Sequence, residues 1–266
     1  YNSEESRLLA SLSGDKGMLE VFEKGYDMHS YVAWLIYPEI IPRDVDISSI
    51  KQKYPSLRQG AKGPEFTFAF LGTWATLVAI YGMSKEEAMR IEEYYKKGFA
   101  GATKYQEQCK KYTESTGIIR ICRETGHISR WWDWQKWNKR QHSKEFWDEY
   151  RERKAAGLPR TEEANEHFAA RNKYDKNSVN STTQGLGAVI FKEFTYALYI
   201  WILDKGYQNK VKFCVPVHDE ICEECPKELT SEVVAATKHF METIGAKYCH
   251  RLPLPAEEEV GPFWKH

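Results

Sequence analysis

From Lys212 to Val217 the chain alternates with β-branched residues, and a second strand-like run begins at Glu220. That leaves His218 and Asp219 as a two-residue hairpin turn. Since helical patterns fill most of the remaining chain, the fold class is read as α+β: helices gathered about a small antiparallel sheet. The turn also carries chemistry. Val217-His218-Asp219-Glu220 sets two adjacent carboxylates and an imidazole at the tip of an apolar hairpin. Neighbouring carboxylates on a rigid support repel one another unless a cation joins them. Mg²⁺, which binds oxygen and shares its ligands with phosphates, suits such a tip. An Asp is equally at home in a hairpin turn for its backbone preference alone.

Helical signals dominate the first third. Small and apolar residues run from Ser6 to Leu12, and the break at Ser13-Gly14-Asp15 offers an N-cap for a helix from Met18 to Lys24. Gly25 closes that helix, and Asp27 caps the next, which continues through Ile36 to Pro38. Residues 38–55 read as a connection. From Ser56 a longer helix places Arg58, Lys62, Phe66 and Phe70 four residues apart on one face, with Pro64 expected to kink or tighten its first turns. Ser84 with Glu86 and Glu87 starts another helix. Residues 127–171 differ in texture: Trp131, Trp132, Trp134, Trp137 and Trp147 stand among Lys, Arg and Glu, which predicts surface helix and loop, in the manner of an insertion. An apolar helix is expected from Gln184 to Leu203, a last one from Ser231 to Ile244, and a strand-like end from Leu252 to Val260.

Charge and cysteine usage narrow the function. Thirty-eight basic residues balance thirty-eight acidic ones, which excludes a chain that coats nucleic acid through bulk charge but leaves room for a local basic groove. No uncharged apolar run approaches the roughly 20 residues of a membrane helix, so no membrane partner is expected. Neither a signal peptide nor an initiating Met is visible at Tyr1, so the chain is expected to be a piece of something longer. The six cysteines read as reduced thiols of an intracellular, cytoplasmic protein. Cys222 and Cys225 form a lone CxxC without the further ligands a zinc site needs, and Glu223 and Glu224 between them disfavour a reactive thiolate.

Two further groupings suggest a ligand. Arg58, Lys62 and Phe66 offer two cations and a flat ring on one helix face, which suits a nucleoside triphosphate, although a solvated amphipathic helix has the same pattern. Asn180 and Gln184 lie one turn apart, and side-chain amides can pair with the acceptors of the DNA minor groove. Asn180 and Ser181 could instead cap the apolar helix that follows.

Taken in order, these segments resemble the DNA polymerases of family A. Glu5-Ser6-Arg7-Leu8-Leu9-Ala10-Ser11-Leu12-Ser13-Gly14-Asp15 and Gly25-Tyr26-Asp27-Met28-His29 resemble the stretch after motif A. Arg58-Gln59-Gly60-Ala61-Lys62-Gly63-Pro64-Glu65-Phe66 resembles motif B of the fingers helix. Thr183-Gln184-Gly185 is similar to the family's Q-G helix, Val217-His218-Asp219-Glu220 to motif C, and Val260-Gly261-Pro262-Phe263-Trp264 to the closing strand.

The resemblance implies a right-hand polymerase fold with helical fingers and an antiparallel palm sheet, the thumb and first part of the palm being absent. It divides the chain into palm at 1–24, fingers at 25–170 with an insertion at 127–170, and palm again at 171–266. Asp219 would hold catalytic Mg²⁺, two ions in all with Mn²⁺ a substitute, and Glu220 would be a lesser neighbour. His218 would touch the primer terminus. Lys62, Arg58 and His29 would meet the triphosphate of the incoming dNTP. Phe66 would pack against its sugar, and the missing hydroxyl of a Tyr there implies poor use of dideoxynucleotides. Phe70 would stack near the templating base. Glu5 would crowd a ribose 2′-OH, while Arg7, Asn180 and Gln184 would follow the primer–template duplex.

The pattern departs from the family at three places. The Asp that should open motif A would lie one position before Tyr1, so the chain is expected to depend on an N-terminal polymerase chain, as half of a split or truncated enzyme, and not to polymerise alone. That partner would carry the thumb, the remaining palm and any exonuclease, and a processivity factor would be a further partner; a phage source is inferred by analogy. Glu65 stands beside a phosphate-binding Lys, where it helps only if it points away. The Trp-rich stretch has no counterpart and could stack on single-stranded template, pack on the missing chain or pack locally. The rival reading is a non-catalytic DNA-binding or assembly subunit on a polymerase scaffold. Retention of Glu5, Lys62 and Asp219 argues against it.

Overall fold

A computed structural model describes residue 1, residues 3–138 and residues 142–263. Trp264 of the closing segment lies outside the described residues. The structure is mostly helical, with two separate two-stranded antiparallel sheets.

The amino-terminal helices begin where their caps dictate. After α1 (Glu4–Ser13), Gly14 takes a left-handed conformation at φ 64°, and Asp15 accepts a bond from the Met18 amide to start α2 (Lys16–Glu23). Asp27 does the same for α3 (Met28–Ile36) through the Ser30 amide. Residues 38–55, expected as a plain connection, contain a 3-10 turn and the short α4 (Ile50–Lys53). Then α5 (Pro55–Ala69) carries the predicted face, and Pro64 is buried within the helix without ending it. Next come α6 (Trp74–Tyr81), α7 (Lys85–Gly98), capped by Ser84, and α8 (Ala100–Thr116).

The hairpin of β1 (Ile118–Arg120) and β2 (Ile128–Arg130), which the sequence reading missed, enters the start of the Trp-rich stretch. Beyond it the stretch holds helix, as expected: α9 (Trp134–Trp137) and α10 (Lys144–Ala155). Most of its tryptophans pack locally. Trp131 is buried and stacks on Tyr174 with centroids 4.1 Å apart, Trp134 donates to the Glu114 carbonyl, and Trp147 meets His167 edge-on. Trp132 alone of the five stands open, 85% exposed.

The largest departure is α11 (Glu162–Asp204), a helix of 43 residues that starts 22 residues before Gln184. Asn180 and Ser181 therefore lie inside a helix and cap nothing; Thr161 is the cap, accepting from the Ala164 amide. By length and composition α11 could cross a membrane. One face of it joins the core, where Ile190, Phe194 and Leu198 are wholly buried, while Tyr196, Tyr199, Ile200 and Leu203 on the other are exposed.

Past α11, β3 (Lys212–Val217) and β4 (Glu220–Glu224) form the expected hairpin, bulged between Phe213 and Val215. It rests on a small cluster of Leu198, Ile202, Val211 and Val233, while the main core joins α1, α3, α5, α7, α8, α11 and α12 (Thr230–Tyr248). The segment from Leu252 to Val260 forms no strand. Its alternation is real, for Leu252, Leu254 and Ala256 are buried, but the groups facing them belong to helices; a Cβ on Gly245 of α12 would meet Leu254 at 3.1 Å.

Candidate active site

The residues singled out in the sequence fall into two sets, and α1 runs between them. The first set is the hairpin tip. Val217 pairs with Glu220, so His218 and Asp219 alone make the turn. Of these two, only His218 has a positive φ, 52°, a conformation that costs a residue with a Cβ roughly 1–2 kcal/mol. Asp219 is one-third exposed, and Glu220 is exposed beside it. The Tyr1 ammonium donates to the Asp219 carbonyl at 2.9 Å and lies 3.8 Å from Asp219 Oδ2. The Tyr1 hydroxyl donates to the Met241 carbonyl of α12, and its ring meets Phe194 of α11 edge-on, so the start of the chain is clamped against the hairpin.

Glu4, which the sequence reading passed over, belongs with this set. It is 8% exposed, and its Oε1 has no hydrogen-bond partner. Burial first, and then the negative field of Asp219, push its carboxyl up to about 7. Gly187 of α11 leaves space for it: a Cβ there would stand 2.9 Å from Glu4 Oε2. The signal was present in the spacing. Glu4, Leu8 and Ser11 share the buried stripe of α1, so a carboxylate occupies a core position.

The second set forms where α3 packs on α5. Asp27, while capping α3, also accepts from Arg58 Nε at 2.7 Å and Nη2 at 2.8 Å. Burial alone would raise the Asp27 carboxyl, but Arg58 and Ser30 hold it down at about 2. Arg58 is thus held by a carboxylate in a fork. Lys62, one turn on, is half-buried and has no carboxylate partner among the described residues. Phe66 is 46% exposed, with the His29 ring 6.0 Å away and Phe70 nearly parallel at 6.4 Å. Glu65 does point away from solvent: it is 4% exposed, 2.5 Å from His29 Nδ1, and accepts from Ser6 Oγ at 3.4 Å.

Ser6 is in the first turns of α1, which also holds the half-buried Glu5. Four residues lie between Tyr1, at the acidic tip, and Ser6, at the cationic helix, so the chain itself keeps the two within roughly 18 Å. The duplex candidates lie elsewhere. Arg7 sits over the Phe22 ring at 4.3 Å and donates to the Pro253 carbonyl, which ties it to the C-terminal segment. On α11, Gln184 is exposed, while Asn180 is half-buried with Oδ1 unpartnered.

All 266 residues match the sequence model of DNA polymerase family A. The chain belongs to that family. It is 26% identical to DNA polymerase I of Streptococcus pneumoniae over 264 residues, covering 99% of this chain and 25% of that protein. It is 25% identical to DNA polymerase I of Aquifex aeolicus over 273 residues, covering 99% of this chain and 38% of that one. The chain therefore spans about a quarter to two-fifths of the length of these family A relatives. In fold it is similar to the POL domain of Pol1 from M. smegmatis, a structure determined with DNA primer-template and dNTP: TM-score 0.71, 23% identity, 96% of this chain and 37% of that one.

Family A chemistry invites a test for divalent metal. Among the described residues no three His, Cys, Asp or Glu side chains are grouped to hold an ion. The hairpin tip nevertheless fits one in part. Asp219 and Glu220 supply adjacent carboxylates, and the repulsion that helps keep Glu4 protonated is what a nearby cation would relieve. All six cysteines are free thiols.

Proposed function

We infer that this chain supplies the fingers, residues 25–170, and much of the palm, residues 1–24 and 171–266, of a template-directed DNA polymerase, which joins a dNTP to a primer 3′-OH by in-line phosphoryl transfer. The observation that carries the reading is the placement of α1. Tyr1, three residues ahead of it, is seated against Asp219, while Ser6 in its first turn reaches Glu65 on the helix of Lys62. The primer-template and dNTP in the M. smegmatis structure support the same partners here.

On this reading Lys62 meets the triphosphate directly, since it is the cation of its face without a carboxylate partner. Phe66 bounds the sugar, and Glu5 crowds a 2′-OH. Divalent ions, Mg²⁺ or Mn²⁺, held at Asp219 with Glu220 beside it, would supply the charge neutralisation that lets the 3′-OH attack and pyrophosphate leave. A second carboxylate is needed for two such ions. A residue joined to Tyr1 N would be attached 3.8 Å from Asp219 Oδ2, and an Asp there supplies that carboxylate.

The test is primer extension by this chain mixed with, or fused to, an upstream polymerase segment that ends in Asp. Extension that disappears with Asp219→Ala while duplex binding persists is the expected result. Extension that survives Asp219→Ala overturns the metal assignment, and a reconstituted pair that binds duplex but never extends favours the non-catalytic subunit.

A further inference from the structure

Glu65 occupies the turn between Lys62 and Phe66, where a carboxylate facing outward would repel a triphosphate. It faces inward instead. Its carboxylate keeps two partners from two other helices, His29 Nδ1 on α3 and Ser6 Oγ on α1. The face that Lys62 shares therefore holds two cations, Arg58 and Lys62, against two carboxylates, Asp27 and Glu65. The imidazole of His29 adds a hydrogen-bonding group to that face. We propose that Glu65 is a positioning residue for nucleotide binding: it fixes the His29 ring by its Nδ1 edge, so that Nε2 is presented to the triphosphate. The proposal rests on the reading of the Lys62 face as the nucleotide site.

Two contacts fix the ring. Nδ1 is held by a carboxylate that is itself 95% covered, and Phe66 lies 6.0 Å away, while the ring remains 22% exposed. Nε2 has no hydrogen-bond partner among the described residues, so it is the nitrogen left for a ligand. A carboxylate on one nitrogen orients the ring and draws a proton to that nitrogen. The ring's rotamer freedom is thereby spent before the ligand arrives. Ser6 joins the same carboxylate to α1, which starts three residues beyond the Tyr1 ammonium that meets Asp219.

The test is equilibrium binding of Mg²⁺–dTTP to the full chain, comparing wild type with Lys62→Ala, His29→Ala, Glu65→Ala, Glu65→Gln and the His29→Ala/Glu65→Ala pair, with thermal melts to check folding. Glu65→Ala is expected to weaken binding about tenfold, the worth of one hydrogen bond to a charged group. Glu65→Gln, whose amide oxygen still accepts from Nδ1, should weaken it less. The pair should bind no more weakly than His29→Ala alone, because Glu65 acts only through the ring. Nitrogen-15 spectra of the histidines should show the ring proton redistributed at His29 in Glu65→Ala, and Nε2 shifting when Mg²⁺–dTTP is added to wild type. If Glu65→Ala does not fold, Glu65→Gln with and without His29→Ala makes the same comparison. Losses that simply add, or unchanged binding in the folded Glu65 variants while Lys62→Ala weakens it, overturn the positioning role alone. Unchanged binding in Lys62→Ala overturns the nucleotide-site reading, and this proposal with it.

Discussion

The hairpin tip and the α3–α5 face treat charge in opposite ways. On the α3–α5 face, Arg58 and His29 each already have a carboxylate partner, Asp27 and Glu65, and Lys62 has none among the described residues. At the tip, the cation that Asp219 has among the described residues is the Tyr1 ammonium at 3.8 Å, and Glu4 is buried nearby with an unpartnered oxygen. In the cationic half, Arg58 is paired in a fork. The acidic half sets the Asp219 and Glu4 carboxyls in each other's field. A site that must draw in a polyanion can be built in advance from paired side chains, whereas a carboxylate cluster stays costly until a cation arrives.

The largest expected effect breaks that contrast at its acidic end. With an upstream segment supplied, Asp219→Ala should lower primer extension by about a thousandfold or more, because the charge on the leaving pyrophosphate loses its counterweight. Circular dichroism melts should move little, since Asp219 is one-third exposed and its side chain stands 3.8 Å from its ammonium partner. Arg58→Ala should do the reverse, with a smaller loss of extension, expressed in KM for dNTP, and a visible loss of stability. If Asp219→Ala unfolded the protein, the view of the tip as functional rather than structural would fail.

Glu4 sharpens the contrast through pH. Its carboxyl sits at about 7 in the folded chain against an ordinary value of 4.5, so the native state holds the proton more tightly than the unfolded state. The stability this contributes is full below pH 4.5 and is lost as pH rises through 7. Glu4→Gln should therefore match wild type near pH 4 and exceed it by on the order of 3 kcal/mol at pH 8, read from urea unfolding at the two pH values. Equal stabilities at both would show that Glu4 is not buried against Asp219.

Asp27 should respond in the opposite direction. Its folded value, about 2, lies below the ordinary 3.8, so its contribution is present above pH 3.8 and fades as pH falls through 2. Asp27→Asn keeps a cap but loses the charge that holds Arg58. Since Asp27 is 35% exposed, the expected loss at pH 7 is only about 1 kcal/mol after screening, vanishing near pH 2. A loss that persists at pH 2 would mean that the cap, not the ion pair, is what Asp27 supplies.

These assignments differ in how far the sequence reveals them. The caps at Asp15, Asp27 and Ser84 and the turn at His218-Asp219 obey rules that act within four residues, and the structure has each of them. The spacing of Arg58, Lys62 and Phe66 is legible for the same reason. Which of those cations is already taken is not, because Asp27 and Glu65 meet Arg58 and His29 only when α3 lies on α5. The early start of α11 was hidden by its polar first half, where Ala164, Val179 and Thr182 are buried by neighbours that no local pattern names. At the carboxyl end, burial alternates through Leu252, Leu254 and Ala256, yet the segment lies against helices, and alternation alone cannot tell that from a sheet.

The smallest expected effect concerns the turn that aims the acidic tip. His218 holds φ 52° although it carries a Cβ, and glycine would relieve that strain at the expense of a freer unfolded chain. His218→Gly should therefore change stability by no more than about 1 kcal/mol, in the stabilising direction if strain outweighs unfolded-state entropy. If His218 meets the primer terminus as proposed, primer extension should fall more than stability changes, because that imidazole is lost while Asp219 keeps its place in the turn. If His218→Gly left extension intact, His218 would be a residue tolerated by the turn and not one chosen for the primer, and the chemistry of the tip would rest on its carboxylates alone.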